Sequence, residues 1–298
     1  MRSRCRFPRT IALTFLICGR FSAADNPHRQ VDPTFLHRNL ATAEGKNSDL
    51  TTPTCHYKPL FGEEDSQNSV VVGVARFGEA IIQHSGSCAE VAYLEEDQIY
   101  VVLDGSGSAT YAQETVTLKK HDYVYFPATV RHRLTSSSDA PLNVIVIGFR
   151  VKGYPKTPVP AHALKANIED VPTQPVSGHP LSALYRLLMG DADSKRDRIA
   201  AGRVMTSLFV MEIAPGGTNF PHHHEREEEI YLVLEGHGDM VAGGGMDGIE
   251  GRHPAQAGDA YFFRLNCTVG YYSAGDVRSR ILAVRSWYPG MVLVGMQH

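Results

Sequence analysis

The sequence predicts an all-β protein made of two tandem copies of one β-barrel, and three observations predict it. Short β-branched and aromatic runs recur between Gly, Ser and Asp, the whole pattern occurs twice, and a Pro-rich stretch separates the two occurrences. The first occurrence, residues 69–151, holds the runs Val70–Val74, Ile99–Leu103, Tyr123–Phe126 and Leu142–Val151. The second, residues 203–298, holds Val204–Ile213, Ile230–Leu234, Ala260–Phe263 and Ile281–Ser286. At 298 residues and 43% hydrophobic composition the chain has apolar material for two medium cores.

The repeat is visible residue by residue. Glu95-Glu96-Asp97-Gln98-Ile99-Tyr100-Val101-Val102-Leu103-Asp104-Gly105-Ser106-Gly107 aligns with Arg226-Glu227-Glu228-Glu229-Ile230-Tyr231-Leu232-Val233-Leu234-Glu235-Gly236-His237-Gly238 at an offset of 131. His121-Asp122 and Pro127 then fall opposite Gly258-Asp259 and Arg264 at an offset of 137. The second copy therefore carries about six extra residues, which the Gly243–Gly248 loop supplies. The expected organisation is a leader at 1–24, an N-terminal extension at 25–65, a first barrel at 66–152, a linker at 153–198 and a second barrel at 199–298. Within the linker, the apolar spacing of Leu181–Gly190 predicts a short helix.

The second copy concentrates residues with metal-binding chemistry. Gly216 opens a turn leading to Phe220-Pro221-His222-His223-His224, and after four polar residues comes Glu229, then Gly236. Residues two apart on a strand share a face, so His222 and His224 point the same way with origins about 6–7 Å apart. The next strand returns Glu229 beside them. Two imidazoles and one carboxylate leave coordination positions open, an arrangement suited to one divalent metal: manganese or iron(II) first, zinc or nickel as alternatives. His223 and the run Glu225–Glu228 read as a solvated polar stretch.

These residues resemble the cupin superfamily, whose first motif runs Gly, five residues, His-x-His, three or four residues, Glu, six residues, Gly. Gly216, His222, His224, Glu229 and Gly236 follow it throughout. The resemblance implies jelly-roll β-barrels, and the duplication implies a bicupin covering roughly residues 66–298. The second motif, Gly, five residues, Pro-x-Gly, two residues, His, three residues, Asn, is broken: Gly258 is kept, while Arg264, Asn266, Val269 and Ser273 replace Pro, Gly, His and Asn. Val269 removes the usual fourth ligand. Arg264, Asn266 and Cys267, in the substituted turn, and Tyr231 are candidate substrate contacts. In the first copy Val91, Tyr93 and Gln98 stand at the ligand positions, and only His132 keeps its motif place. That barrel is expected to be structural or a metal-free pocket, with His132 and Gln98 as its candidate polar groups.

Within the bicupins, the layout is similar to the (S)-ureidoglycine aminohydrolases: two copies, metal in the second, and an Arg278-Ser279-Arg280 segment near the end. Their fourth ligand, a Gln, falls on Val269, so only the metal register carries over. Oxalate-degrading bicupins keep full ligand sets, unlike this chain, and three-ligand cupin dioxygenases share its open coordination. The resemblance implies a metal-dependent enzyme acting on a small carboxylate- or carbonyl-bearing molecule, by dioxygenase-, isomerase- or aminohydrolase-like chemistry. The alternative is a non-catalytic metal-containing binding or sensing cupin.

Charge and termini bound the partners. An arginine-rich start, an apolar run from Ile11 to Cys18 and the small residues Ser22-Ala23-Ala24 before Asp25 read as an export signal. Removing it takes five arginines and moves the formal charge from −3 to −8. Nucleic acid is excluded by that balance, and no later segment has the ~20 apolar residues of a membrane span. The mature chain is expected to be periplasmic or secreted, off the membrane, acting on a small molecule and compatible with a homo-oligomer. Cys55, Cys88 and Cys267 remain; a Cys55–Cys88 bridge and buried thiols are both open readings. Intact-mass measurement on protein from a secreting host should show loss of about two dozen residues, with a new terminus near Asp25. An unprocessed product would overturn the export reading.

Overall fold

The computed structural model describes residues 34–62, 65, 71–154, 158–244 and 249–288. The leader expected at 1–24 and residues 245–248 of the glycine loop lie outside them. The β-branched and aromatic runs form strands, as their preference for a pleated, packed surface requires. In the first copy a six-stranded sheet has the order β10 (Leu164–Asn167), β7 (Asp122–Phe126), β4 (Glu96–Asp104), β9 (Leu142–Arg150), β3 (Val74–Ile82), β2 (Cys55–Gly62). A three-stranded sheet of β6 (Glu114–Lys119), β5 (Ser106–Tyr111) and β8 (His132–Ser136) packs against it.

The second copy repeats the plan. Its large sheet has the order β1 (Phe35–Asn39), β17 (Asp259–Phe263), β14 (Glu227–Glu235), β19 (Ser279–Trp287), β13 (Met205–Ile213), β11 (Ala183–Asp191), β12 (Ile199–Gly202). Its small sheet is β16 (Ile249–Gln256), β15 (His237–Gly244) and β18 (Cys267–Ser273). Pairing is antiparallel except between β11 and β12. Each copy is thus a jelly roll of two facing sheets that do not close into a continuous barrel.

Three apolar layers hold these four sheets together. One lies inside each copy, and the third lies between the two large sheets, where Ile99, Val101, Ile145, Ile147 and Phe149 meet Leu208, Val210, Ile230, Leu232 and Phe262. The central strands of the large sheets are therefore buried on both faces. Each such side chain, fully withdrawn from water, contributes about 1.5–3 kcal/mol.

The structure redraws two of the expected boundaries. Leu181–Gly190, expected as a helix, is almost wholly strand β11; its apolar residues serve two cores, Tyr185 and Leu187 inside the second copy and Leu188 and Met189 between the copies. The linker's helix is instead the 3-10 turn Ile168–Asp170, capped by the Asn167 side chain, which accepts from Glu169 N at 3.0 Å. The stretch expected as an N-terminal extension supplies two strands, and they go to different copies: β1 to the second sheet, β2 to the first. The linker does the reverse, giving β10 to the first sheet and β11 to the second. Each outer strand is latched alike. Asn39 Nδ2 donates to Asp259 Oδ1 at 2.8 Å, and Asn167 Nδ2 donates to Asp122 Oδ1 at 2.8 Å.

Cys55 and Cys88 form a disulfide with their Cα atoms 4.9 Å apart, inside the first core, and Cys267 is buried in the second. Among the described residues no helix is long and apolar enough to cross a membrane.

Two buried acids cross between the copies. Asp97 accepts from Ala128 N and Tyr125 Oη, both at 2.8 Å, and from the Arg203 guanidinium of the other copy. Glu228, its repeat partner, accepts from Val72 N at 2.8 Å and Gly73 N at 2.7 Å. Glu228 is thus no solvated charge: it is 1% exposed, because strand alternation turns it toward the other copy while Glu227 and Glu229 face inward. Burial pushes its carboxyl up to about 7 against the pull of those two backbone N–H groups. Arg203→Ala leaves Asp97 buried without its cation and should cost about 3–5 kcal/mol in chemical denaturation, without changing the site inside the second copy. A cost below about 1 kcal/mol, the range of an exposed pair, would mean that this contact does not hold the copies together.

Candidate metal centre

His222 is placed by backbone pairing: it exchanges both N–H···O bonds with Val269, at 2.9 and 2.8 Å. The vacant fourth-ligand position of the motif therefore lies directly across the ladder from the first ligand. Asn266, where the motif has Gly, takes a left-handed φ of 59°, which Asn tolerates, and its N–H donates to the His224 carbonyl at 2.9 Å. Glu229 enters on β14, facing inward with Tyr231. Gly236 ends that strand at φ 86°, where an added Cβ would stand 2.6 Å from the Arg278 carbonyl oxygen.

One ligand atom from each of His222, His224 and Glu229 lies within 4.8 Å of the others. The His222 Nδ1–H donates to the Phe220 carbonyl at 2.9 Å, which leaves its Nε2 lone pair available. His224 Nε2 and Glu229 Oε2 are 3.2 Å apart, yet both are buried without a hydrogen-bond partner. Two adjacent buried ligand atoms without a well-formed hydrogen bond suit a cation between them, whether a proton or a metal, and the donor set of two imidazoles and one carboxylate fits a divalent metal. His223 is exposed, as expected.

Burial pushes the His222 imidazole below the usual histidine range. Burial acts on His224 in the same direction, but the adjacent Glu229 carboxylate outweighs it and holds this imidazole above that range. Glu229, which burial alone would raise, is held below the usual carboxylate range by His224 and then by Arg285.

The triad opens on a cavity of about 190 Å³ whose wall includes His179, Tyr185, Ser207, Tyr231 and Arg285. Of the candidate substrate contacts, Tyr231 is among the described lining residues, its hydroxyl accepting from Asn219 Nδ2 at 3.1 Å. Arg264, Asn266 and Cys267 are not; Arg264 and Asn266 belong to the turn between β17 and β18, where Arg264 N donates to Thr34 O, and Cys267 opens β18 and packs into the core. His179, from the loop before β11, has its ring 5.0 Å from that of His222, and its Nδ1–H donates to the Asn219 carbonyl at 2.6 Å. Sequence pattern gives no sign of it, since it lies some forty residues before the motif. Arg285 could have been noticed as the charge inside the apolar run Ile281–Ser286.

In the first copy the same space is filled by a chain of side chains. Arg76 Nε donates to Glu96 at 2.7 Å, Gln98 Nε2 donates to the same oxygen at 2.9 Å, and Tyr100 donates to Gln98 Oε1. Tyr100 Oη also lies 2.9 Å from His132 Nε2, whose Nδ1–H donates to the Val130 carbonyl at 2.9 Å. Burial pushes His132 down to about 4, and its ring stacks on Phe126 at 4.4 Å, so it is a neutral, packed residue. Gln98 and His132, at two of the motif's ligand positions, are joined through Tyr100.

The Cupin domain family model matches the chain at residues 83–148 and 209–285, once in each copy. Among solved structures, the putative glyoxylate induced protein of Pseudomonas aeruginosa superimposes with a TM-score of 0.67 at 15% identity, over 90% of this chain and 94% of that one. Lactobacillus farciminis oxalate decarboxylase, solved as a formate complex, gives 0.65 at 13% identity over 88% of each chain. Bacillus subtilis oxalate decarboxylase, a protein with Mn(II) centres, gives 0.61 at 10% over 88% of this chain and 78% of that one. At these identities the likeness speaks for the fold. No curated protein matches the sequence.

Because His224 must lose a proton before it can ligate, metal affinity should fall as pH drops through and below ~6.5. Metal per chain, measured after equilibration across pH, should approach one at pH ~8 and decline on acidification; a content constant to pH ~4.5 would remove the histidines as ligands. His222→Ala, His224→Ala and Glu229→Ala should each weaken binding by more than the ~10–100-fold typical of losing an outer hydrogen bond, while Gln98→Ala and His132→Ala leave it intact.

Proposed function

The chain belongs to the cupin superfamily with two cupin copies in one polypeptide, and on that premise we propose that it is a metal-dependent enzyme acting on a small polar molecule that bears a carboxylate or carbonyl group. The observation that carries this reading is the convergence of His222, His224 and Glu229, two of them with buried ligand atoms that lack a hydrogen-bond partner, on a cavity that holds further polar groups. A bound divalent metal, manganese or iron(II) by the donor set, would supply Lewis acidity or oxygen activation there.

The remaining chemistry belongs to the chain. His179 is the imidazole outside the ligand set that lines the cavity, and with its Nδ1–H committed to the Asn219 carbonyl its Nε2 is the atom that accepts a proton. Tyr185, Leu187 and Phe209 wall the cavity and limit it to small molecules. Export to the periplasm or the exterior is part of the proposal, and a disulfide between Cys55 and Cys88 agrees with an oxidising compartment.

A non-catalytic binding or sensing role is the second reading, favoured by the first copy, which keeps its fold with its ligand positions filled by hydrogen bonds. Protein reconstituted with iron(II) or manganese should turn over at least one member of a panel of small hydroxy acids, keto acids and ureides, followed by oxygen uptake and product analysis. His179→Gln should lower kcat by about 10²–10⁴-fold with metal content unchanged. Stabilisation by a panel member without turnover would favour the binding role.

A further inference from the structure

Ligation by His222, His224 and Glu229 leaves three other polar atoms on the same cavity unexplained. Tyr185 Oη, Ser207 Oγ and Arg285 Nε are each buried without a hydrogen-bond partner, although Tyr185 is only 3% and Ser207 1% exposed. Buried polar groups are ordinarily paired, and a cavity wall that gathers three unpaired ones is shaped for a ligand that pairs them.

All three are donors. Burial pushes the Tyr185 phenol up, so it keeps its proton, the serine offers O–H, and the guanidinium offers N–H. Their placement follows from sheet register. Ser207 on β13 lies directly opposite Arg285 on β19, and Arg285 lies directly opposite Glu229 on β14, so the three occupy one rung across neighbouring strands. Tyr185 faces the same interior from β11, its ring 5.6 Å from Phe209. Arg285 is held by its outer edge: Nη1 donates to Glu227 Oε2 at 3.3 Å, and Nε stands 4.0 Å from Glu229 Oε1.

We infer that Tyr185, Ser207 and Arg285 form an anion subsite beside the metal ligands, which takes the carboxylate of a small substrate. This rests on the metal-dependent reading of the same cavity. A carboxylate accepts from all three at once and brings a negative charge to the guanidinium, whereas a neutral amide brings no charge and spends its N–H₂ on a hydroxyl that then donates elsewhere. Charge agrees: Glu227 offsets Arg285, and Glu229 offsets one of a divalent metal's two charges, leaving one positive charge for a monoanion. The space, about 190 Å³, is that of about six waters at ~30 Å³ each, which suits an acid of two to four carbons.

The test is calorimetric binding of glycolate, its neutral isostere glycolamide and inorganic phosphate to the manganese-loaded protein, with metal per chain measured on every sample. Glycolate should bind, and glycolamide at least about tenfold more weakly. Tyr185→Phe and Ser207→Ala, which each remove one oxygen, should weaken glycolate about five- to tenfold, and Arg285→Gln more, with metal content unchanged. Equal binding of glycolate and glycolamide, or variants that bind glycolate as the parent does while fully loaded, would overturn the subsite. Phosphate binding tighter than glycolate would overturn its assignment to a carboxylate. Should manganese fail to load, the metal reading fails by itself, and the same titrations on the metal-free chain, carried to glycolate concentrations about a hundredfold higher because the linkage to the metal is lost, decide the subsite: binding lost in the variants sustains it, and absence of glycolate binding even there removes it.

Discussion

The two large sheets are buried on both faces, one face inside its own copy and the other against its counterpart, and this double burial fixes the register of every strand that carries a functional side chain. On β14 it sends Ile230 and Leu232 toward the other copy and Tyr231 and Val233 inward. A slip of one residue would exchange the two sets, placing Glu229 in the apolar layer between copies and taking Glu228 away from the Val72 and Gly73 N–H groups. The inter-copy contact therefore determines the geometry of a site that it never touches. Reciprocal strand exchange reinforces it: β1 and β10 each finish a sheet edge, and matched Asn–Asp hydrogen bonds hold them there.

Comparison of the copies shows what fills the first interior where the second has its His–His–Glu cluster. Both place an arginine against the acid that opens the central strand, Arg76 with Glu96 and Arg285 with Glu227. The arginines come from different strands. Arg76 on β3 faces Gly148 on β9, whereas in the second copy Ser207 on β13 faces Arg285 on β19. A Cβ at Gly148 would displace the Glu96 carboxylate from its place against Arg76. In the first copy the guanidinium lies 4.6 Å over the Tyr93 ring, the residue that stands at the His224 position, and the Gln98–Tyr100–His132 chain occupies the remaining ligand places. Moving the cation one strand over is what leaves the second interior open.

Much of this was legible in the sequence, and the reason is local. His222, His224 and Glu229 fall within eight residues of one another, so strand period and one turn suffice to bring them together, and the repeat is readable because its offset is constant over thirteen residues. The misread helix at 181–190 has the opposite cause. A strand serving two cores loses the clean alternation that marks a strand, and its bulge between Leu187 and Met189 shifts the phase further toward a helical spacing. Glu228 looked like part of a charged face because burial by a domain one hundred and fifty residues away leaves no trace in its neighbours. His179 with Tyr185, Ser207 and Arg285 come from three separate segments, and only the fold assembles them.

Electrostatics link the ligand triad to the rest of the cavity. With no cation present, Glu229 directs negative charge at Arg285 from 4.0 Å, and Arg285 already serves Glu227, so the guanidinium is claimed by two carboxylates. A cation held by Glu229 and the two imidazoles would draw that carboxylate's charge away and leave the guanidinium's inner edge to an incoming anion. Metal and anion then favour one another by the same amount in either order of binding, as linkage requires. The arrangement selects for a ligand whose carboxylate reaches the Ser207–Arg285 rung while another of its oxygens faces the ligand triad.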